Sequence, residues 1–378
     1  MEINLIIGLS TLAIIKAAPL VFGALCGLLG ERSGVINIGI EGMMLISAFT
    51  TFLGSALFNQ WTGGIFPTNL SLLVGLFCGI ASGALIAALH AVLSIHYKID
   101  QVISGTVINL LAVGITNYVA NVYIDPTHLS GVGVFPTIPI PILSDIPIIG
   151  PILFSHQPMI YLMFILVIFM QYLVFNTPMG LRMRSVGEHP RSADTVGIDV
   201  NRTRYINVIL GGIFAGLGGA IMVLESVGRF QKLMTSGRGF IALAALIFGR
   251  WTSNGALGSA LLFGFSEALG VRLQFGDLNH IKVIVIVSGL ALLGLGLFLL
   301  IKKIKEKEIN IKKYITILIL IVLGFTIMVG SNYIKFPSIS IPIEFLGLLP
   351  YILTIFVLTG FVRRAKGPAA AGIPYEKQ

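Results

Sequence analysis

The feature that most constrains this chain is a series of long apolar runs with almost no charge inside them. Runs of spanning length occupy about 4–29, 37–58, 70–95, 102–123, 159–175, 205–225, 255–275, 281–301, 314–333 and 344–362, and a shorter one fills 239–250. A helix of roughly 20 apolar residues covers the hydrocarbon core of a bilayer. Charged residues make up only 11% of the chain, against about 25% in soluble domains, so one wetted globule cannot hold these runs. The runs lack the period-2 alternation of barrel strands. The expectation is an all-α, polytopic membrane protein of about 10–11 transmembrane helices, some broken, forming one membrane domain over 1–378.

The charges fall between the runs and set an orientation. Arg182, Arg184, Arg191, Arg202 and Arg204 cluster in 176–204, six lysines in 302–313, and Arg363, Arg364, Lys366 and Lys377 near the end. Basic segments stay on the cytoplasmic side, so all three are expected there, with a cytoplasmic C-terminus. The segment 124–158 has seven prolines and no Lys or Arg, as suits the outer face. The net charge of +9 therefore reflects topology, and no basic, aromatic-interleaved surface for nucleic acid is visible. Keeping both basic regions inside requires 239–250 to cross, yet it is short for a span; a broken helix sheltered by neighbours reconciles the two. Lys16 sits within the first run, which leaves open an interfacial helix followed by a shorter span. The opening residues lack the basic start of a secretory signal, and Cys26 and Cys78 read as inert apolar-run thiols.

Two irregular segments begin with a Ser-Gly step: Ser33-Gly34, followed by VINIGIEGMML, and Ser236-Gly237, followed by RGFIALAALIFG. Inverted repeats with broken helices are common in transporters, and these steps are candidates for such a pair. Gly75, Gly79 and Gly83, Gly23 and Gly27, and Gly212 and Gly216 recur every fourth position, which lets helices approach closely.

Positive support for catalysis is missing. The chain has no phosphate loop of the form G-x-x-x-x-G-K-[ST], no H-E-x-x-H and no G-x-S-x-G, and its six histidines are scattered. Polar groups inside the runs carry more information, because they are costly in hydrocarbon and tend to face a cavity or a partner. Asn37, Glu41, Asn109 and Asn117 are the candidates for a translocation path, with Glu225 and Glu267 nearer the boundaries. Interhelical hydrogen bonding is an equally good reading of these residues. Amides offer donors and acceptors together, which suits an uncharged, hydroxyl- or base-bearing ligand. The stretch 178–200, PMGLRMRSVGEHPRSADTVGIDV, reads by composition as a solvated loop with topogenic arginines, although its small and apolar face also suits a groove on another protein.

ERSGVINIGIEGMM, MRSVGEHPRSADTVGI and SGRGFIALAALIFGRW with GALGSALLFG occur in that order and resemble permeases of the branched-chain amino acid and simple-sugar ABC importer superfamily. The nucleoside branch, associated with basic membrane protein lipoproteins, is most similar, and the tail GPAAAGIPYEKQ resembles its end. The resemblance implies a coupling segment at 178–200 that docks on an ATPase subunit, with Arg182, Arg184, Gly187, Glu188, Pro190, Ala193 and Gly197 in it, and a path lined by the broken segment from Asn37 to Glu41. It implies no cofactor in this chain, ATP and Mg being held by partner ATPase subunits. The other implied partners are a second permease, a paralogue of this one, a substrate-binding lipoprotein and membrane lipid. One departure stands out: 278–342 adds a hairpin of two apolar runs around the lysine-rich loop. The competing readings are a secondary transporter driven by an ion gradient, which needs intramembrane carboxylates for coupling, and a polytopic enzyme, which needs a polar catalytic cluster.

Overall fold

The computed structural model describes residues 2–66, 68–124, 131–275, 300, 311–330, 348 and 366–377. The chain divides into two compact units, one of residues 1–268 with 350–378 and one of 269–349. Within the second unit, a helix over Ile311–Gly330 turns Leu318, Ile319, Val322, Leu323 and Phe325 outward. The expected spans at 281–301 and 344–362, and most of the lysine-rich loop, lie outside the described residues.

In order, the other helices are α1 (Glu2–Arg32), α2 (Ile40–Trp61), α3 (Thr68–Ala91), α4 (Gln101–Val119), the short α5 (Ile149–Leu153), α6 (Pro158–Asn176), α7 (Pro178–Glu188), α8 (Pro190–Thr195), α9 (Val200–Ile221), α10 (Arg238–Phe248) and α11 (Ser253–Phe275), followed by the Ile311–Gly330 helix, α12. Helices α3, α4 and α9 each continue into a wider π-type turn, over Val92–His96, Ala120–Ile124 and Met222–Val227. A two-residue antiparallel pair joins Ile138–Pro139 to Ser155–His156. Seven helical stretches among the described residues are long and apolar enough to cross a membrane. The protein is an all-α, multi-pass membrane protein. Helix α1 is continuous through Lys16, which removes the alternative of an interfacial helix with a separate span.

The centre of the larger unit is made by α1, α2, α3 and α9. Their contact is as close as glycine permits. A Cβ on Gly83 would lie 2.5 Å from the Gly212 carbonyl and 2.9 Å from the Gly216 Cα, and one on Gly216 would press on the Ile80 backbone at 2.7 Å. With no hydrophobic drive between helices in lipid, such backbone proximity supplies the packing energy. Outer faces are apolar: Phe77 and Leu85 on α3, Leu110 and Tyr118 on α4, and Ile165 and Ile168 on α6 are exposed as lipid-facing side chains are.

Helix α1 serves as a ruler for depth. Its Arg32 donates to the Trp251 carbonyl at 2.9 Å, Gly27 faces Leu246, Gly23 faces Ala242, and Lys16 meets Arg238 across Glu267. Helix α10 thus runs beside the second half of α1 and parallel to it. Its 11 residues cover only about 16 Å. A non-helical lead-in, 228–237, covers the remaining distance from the end at which Val132 donates to the Gly228 carbonyl. The stretch 228–248 therefore runs alongside α1 in two parts, half loop and half helix.

Candidate translocation core and coupling face

After Arg32 the chain turns back at Ser33-Gly34 and runs unwound to Ile40. Gly34 lies at φ +90° and Gly237 at φ +82°, both left-handed. At each step the serine hydroxyl donates to a carbonyl three residues earlier, Ser33 to Gly30 at 2.8 Å and Ser236 to Leu233 at 3.0 Å. The two steps thus share the glycine conformation and the serine bond, but Ser236 is itself left-handed, at φ +46°, and Ser33 is not.

An unwound segment at membrane depth must satisfy its backbone groups internally. Three neighbouring side chains do so for the first break. The Ile36 N–H donates to Gln101 Oε1 at 2.7 Å. The Ile36 carbonyl lies 3.0 Å from His90 Nε2 and can only accept, so Nε2 carries the proton. His90 Nδ1 then faces the Ser104 hydroxyl at 3.0 Å. Asn109 spans the end of the break: its amide nitrogen donates to the Ile38 carbonyl at 3.1 Å, and its oxygen accepts from the Gly42 N–H at 2.7 Å. Gly39 and Gly105 pack backbone to backbone beside it, a Cβ on Gly105 falling 2.7 Å from the Gly39 nitrogen.

Glu41 joins this break to the second. Its two oxygens accept from the Gly237 N–H at 2.8 Å and the Gly239 N–H at 2.6 Å, at the start of α10. A carboxylate is favoured there by the orphan N–H groups and the positive end of the helix dipole. Glu225 does the same for α6, accepting from the Met159 N–H at 2.6 Å. Glu267 takes Arg238 at 2.6 Å and Lys16 at 3.2 Å. The intramembrane carboxylates among the described residues are thus engaged in helix caps and ion pairs. Asn37 is 2% exposed, and its nitrogen approaches the Met43 sulfur at 3.4 Å. The Asn37 Oδ1 and the Asn117 Oδ1 find no hydrogen-bond partner among the described residues.

At the basic end, Thr177 caps α7 by accepting from the Gly180 N–H, and Pro178 and Pro190 start α7 and α8 in the position where a missing N–H costs nothing. Arg184 lies over the Phe175 ring at 5.3 Å, with Arg32 over the same ring at 5.4 Å. Gly187 sits against the Arg32 carbonyl so closely that any Cβ would overlap it. Glu188 is exposed, and Ala193 is buried with Val186 and Val200. Gly197, at φ +83°, and Arg182 line an open cleft of about 540 Å³ together with Arg202 and Asp199. The structure therefore gathers the candidate residues into two places, a polar knot at the first break and a surface at the basic end. Sequence reasoning did not single out His90 or Gln101. Neither carries a local signal, because the groups they satisfy lie 54 and 65 residues away.

Unwound segments meeting between packed helices, a lipid-facing exterior and a structured loop at the basic end define a membrane-spanning transport permease. Residues 10–295 match the family described as the branched-chain amino acid transport system permease component. The chain belongs to this family of permease subunits of ABC importers. It is 37% identical over 366 residues to the guanosine ABC transporter permease protein NupQ of Bacillus subtilis, covering 96% of this chain and 95% of that protein. Identity to the nucleoside ABC transporter permease protein NupC of Lactococcus lactis is 34% over 365 residues, with the same coverage. The putative glucose ABC transporter permease protein TsgC13 of Haloferax volcanii is 36% identical over 272 residues, which cover 71% of this chain and 78% of that protein. No solved structure matches. The family gives the ion-gradient reading no support.

Proposed function

We propose that the chain imports a nucleoside across the cytoplasmic membrane. The observation that carries this reading is the near end-to-end similarity to two permeases named for guanosine and for nucleosides. The polar knot accords with it. Asn109 and Glu41 are occupied in holding the breaks, whereas the Asn37 and Asn117 oxygens are buried without a partner among the described residues and would serve as acceptors for an uncharged ligand once the path opens. The path runs along 37–41 and the facing side of α4.

The energy comes from ATP with Mg in separate ATPase subunits, which dock at α7 and α8 on the cytoplasmic side through Arg182, Arg184, Gly187, Glu188, Pro190, Ala193 and Gly197. The tail lies on that side too. A second permease, paralogous to this chain, completes the membrane part. In Bacillus subtilis a second guanosine permease protein, NupP, is 26% identical to this chain over 281 residues. A substrate-binding lipoprotein delivers the ligand from outside. A simple sugar is the second reading, favoured by the similarity to the glucose-named permease. Reconstitution in proteoliposomes decides between them. Labelled nucleoside should accumulate only with ATPase subunits and ATP present. Uptake at full rate without them sinks the importer reading, and uptake of glucose alone selects the sugar.

A further inference from the structure

The segment 366–377 has no helix or strand, yet it is held at the basic end by partners from six separate parts of the chain. Gly367 rests on the Trp251 indole, where a Cβ would come within 3.1 Å of the ring. The Ala369 N–H donates to Glu188 Oε2 at 3.2 Å, and the Ala370 N–H to the Gly187 carbonyl at 2.9 Å. Two residues on, the Gly372 N–H donates to the Gly34 carbonyl at 3.2 Å. Tyr375 lies beside Asp194 of α8 and packs against the cluster of Val186, Ala193 and Val200. Glu376 pairs with Lys98, between α3 and α4, at 2.7 Å.

Beneath the segment lies Arg204, 1% exposed and the largest fully buried side chain. Its Nη1 donates to the Ile373 carbonyl at 2.9 Å, and its Nη2 lies where a Gly34 Cβ would stand, 2.8 Å away. A buried guanidinium is costly unless its donors are matched; Nε and Nη2 find no partner among the described residues, and the one acceptor, for Nη1, comes from this segment. Nothing about ordinary terminal packing requires the same short stretch to bond Gly187 and Gly34, which belong to the coupling segment and to the first break.

We propose that residues 367–377 are a positioning strap that ties the coupling segment to the unwound segment after Gly34, so that the two move as one body. The strap acts through those two elements and touches no ligand. It rests on the reading of α7 and α8 as the docking site for the ATPase. When that surface is displaced, the bonds through Ala370 and Gly372 carry the displacement to the break whose far end is Glu41, and through Glu41 to the start of α10.

The test uses the complete transporter, with both permeases, the ATPases and the binding protein, in proteoliposomes. The readout is nucleoside moved per ATP hydrolysed. Deleting 367–378 should lower that ratio at least tenfold while hydrolysis continues. Tyr375→Ala, which loosens only the packing on Val186, Ala193 and Val200 and leaves the Ala370 and Gly372 bonds in place, should lower it two- to threefold, and it stands in if the deletion variant fails to assemble. An assembled variant with an unchanged ratio overturns the strap, as does a proportional fall of transport and hydrolysis together, the result expected of a merely structural role. Wild-type transport that ignores ATP would sink the importer reading instead, so the two failures are distinct.

Discussion

The two breaks in the membrane part both open with a Ser-Gly step whose glycine is left-handed, and they are stabilised in opposite ways. The first, after Gly34, is held by His90, Gln101 and Asn109 from two neighbouring helices. The second, before α10, depends on Glu41, a residue placed by the first. The difference lies in where the support comes from. The first is held from outside by α3 and α4, and Glu41 at its far end ties it to the start of α10. A shared Ser-Gly step therefore coexists with an unequal share of outside support.

The largest effect should follow from cutting the link itself. Glu41→Ala leaves the Gly237 and Gly239 N–H groups without their acceptor, an expected loss of about 4 kcal/mol, seen as a collapse of thermal stability in detergent. Glu41→Gln keeps one acceptor and should lose less than half as much. If the alanine variant melts like the wild type, the dependence is broken. Asn109→Leu comes next, at about 3 kcal/mol, because it orphans one donor and one acceptor of the first break. Its chemical signature is reach: a cysteine placed at Phe240 should gain reactivity toward a thiol reagent, since loosening the first break releases the second. Gln101→Leu removes one bond only, and about 2 kcal/mol is expected by the same melting assay. The smallest effect belongs to Gly237→Ala, about 1 kcal/mol for a side chain in the left-handed region. That substitution should change cysteine reactivity around Ile36 far less than Asn109→Leu does, since Ile36 and Ile38 are held by Gln101, His90 and Asn109.

Much of this arrangement is legible in the sequence. Apolar run length gives the spans, charge placement gives the basic end, and the Ser-Gly steps mark both breaks. The expectation that 239–250 traverse despite its length follows from charge parity alone, and a half-loop, half-helix construction is compatible with it. Partners for the breaks are not legible. A lone histidine in an apolar run looks like any interface residue, and a glutamine at a helix start looks like a boundary. Their roles exist only once α3 and α4 fold against the first break, 54 and 65 residues away. Glu225 and Glu267 show the same limit: their cost in lipid is readable, whereas their use as a helix cap and an ion-pair centre is a property of tertiary placement. For Asn37 and Glu41 the sequence leaves path and structural bond level, and the geometry separates them, Glu41 being engaged and the Asn37 oxygen unengaged.

The contact between Trp251 and the strap makes the protein its own spectroscopic probe. The chain has two tryptophans. Trp61, at the far end of α2, is 95% exposed, while Trp251 is 8% exposed, with its indole N–H donating to the Glu31 carboxylate and Gly367 against its ring. A Trp61→Phe variant would emit from the basic end alone. Release of the strap should then appear as a red shift and as easier quenching by iodide, so that the docking of this segment can be followed through a transport cycle without a label.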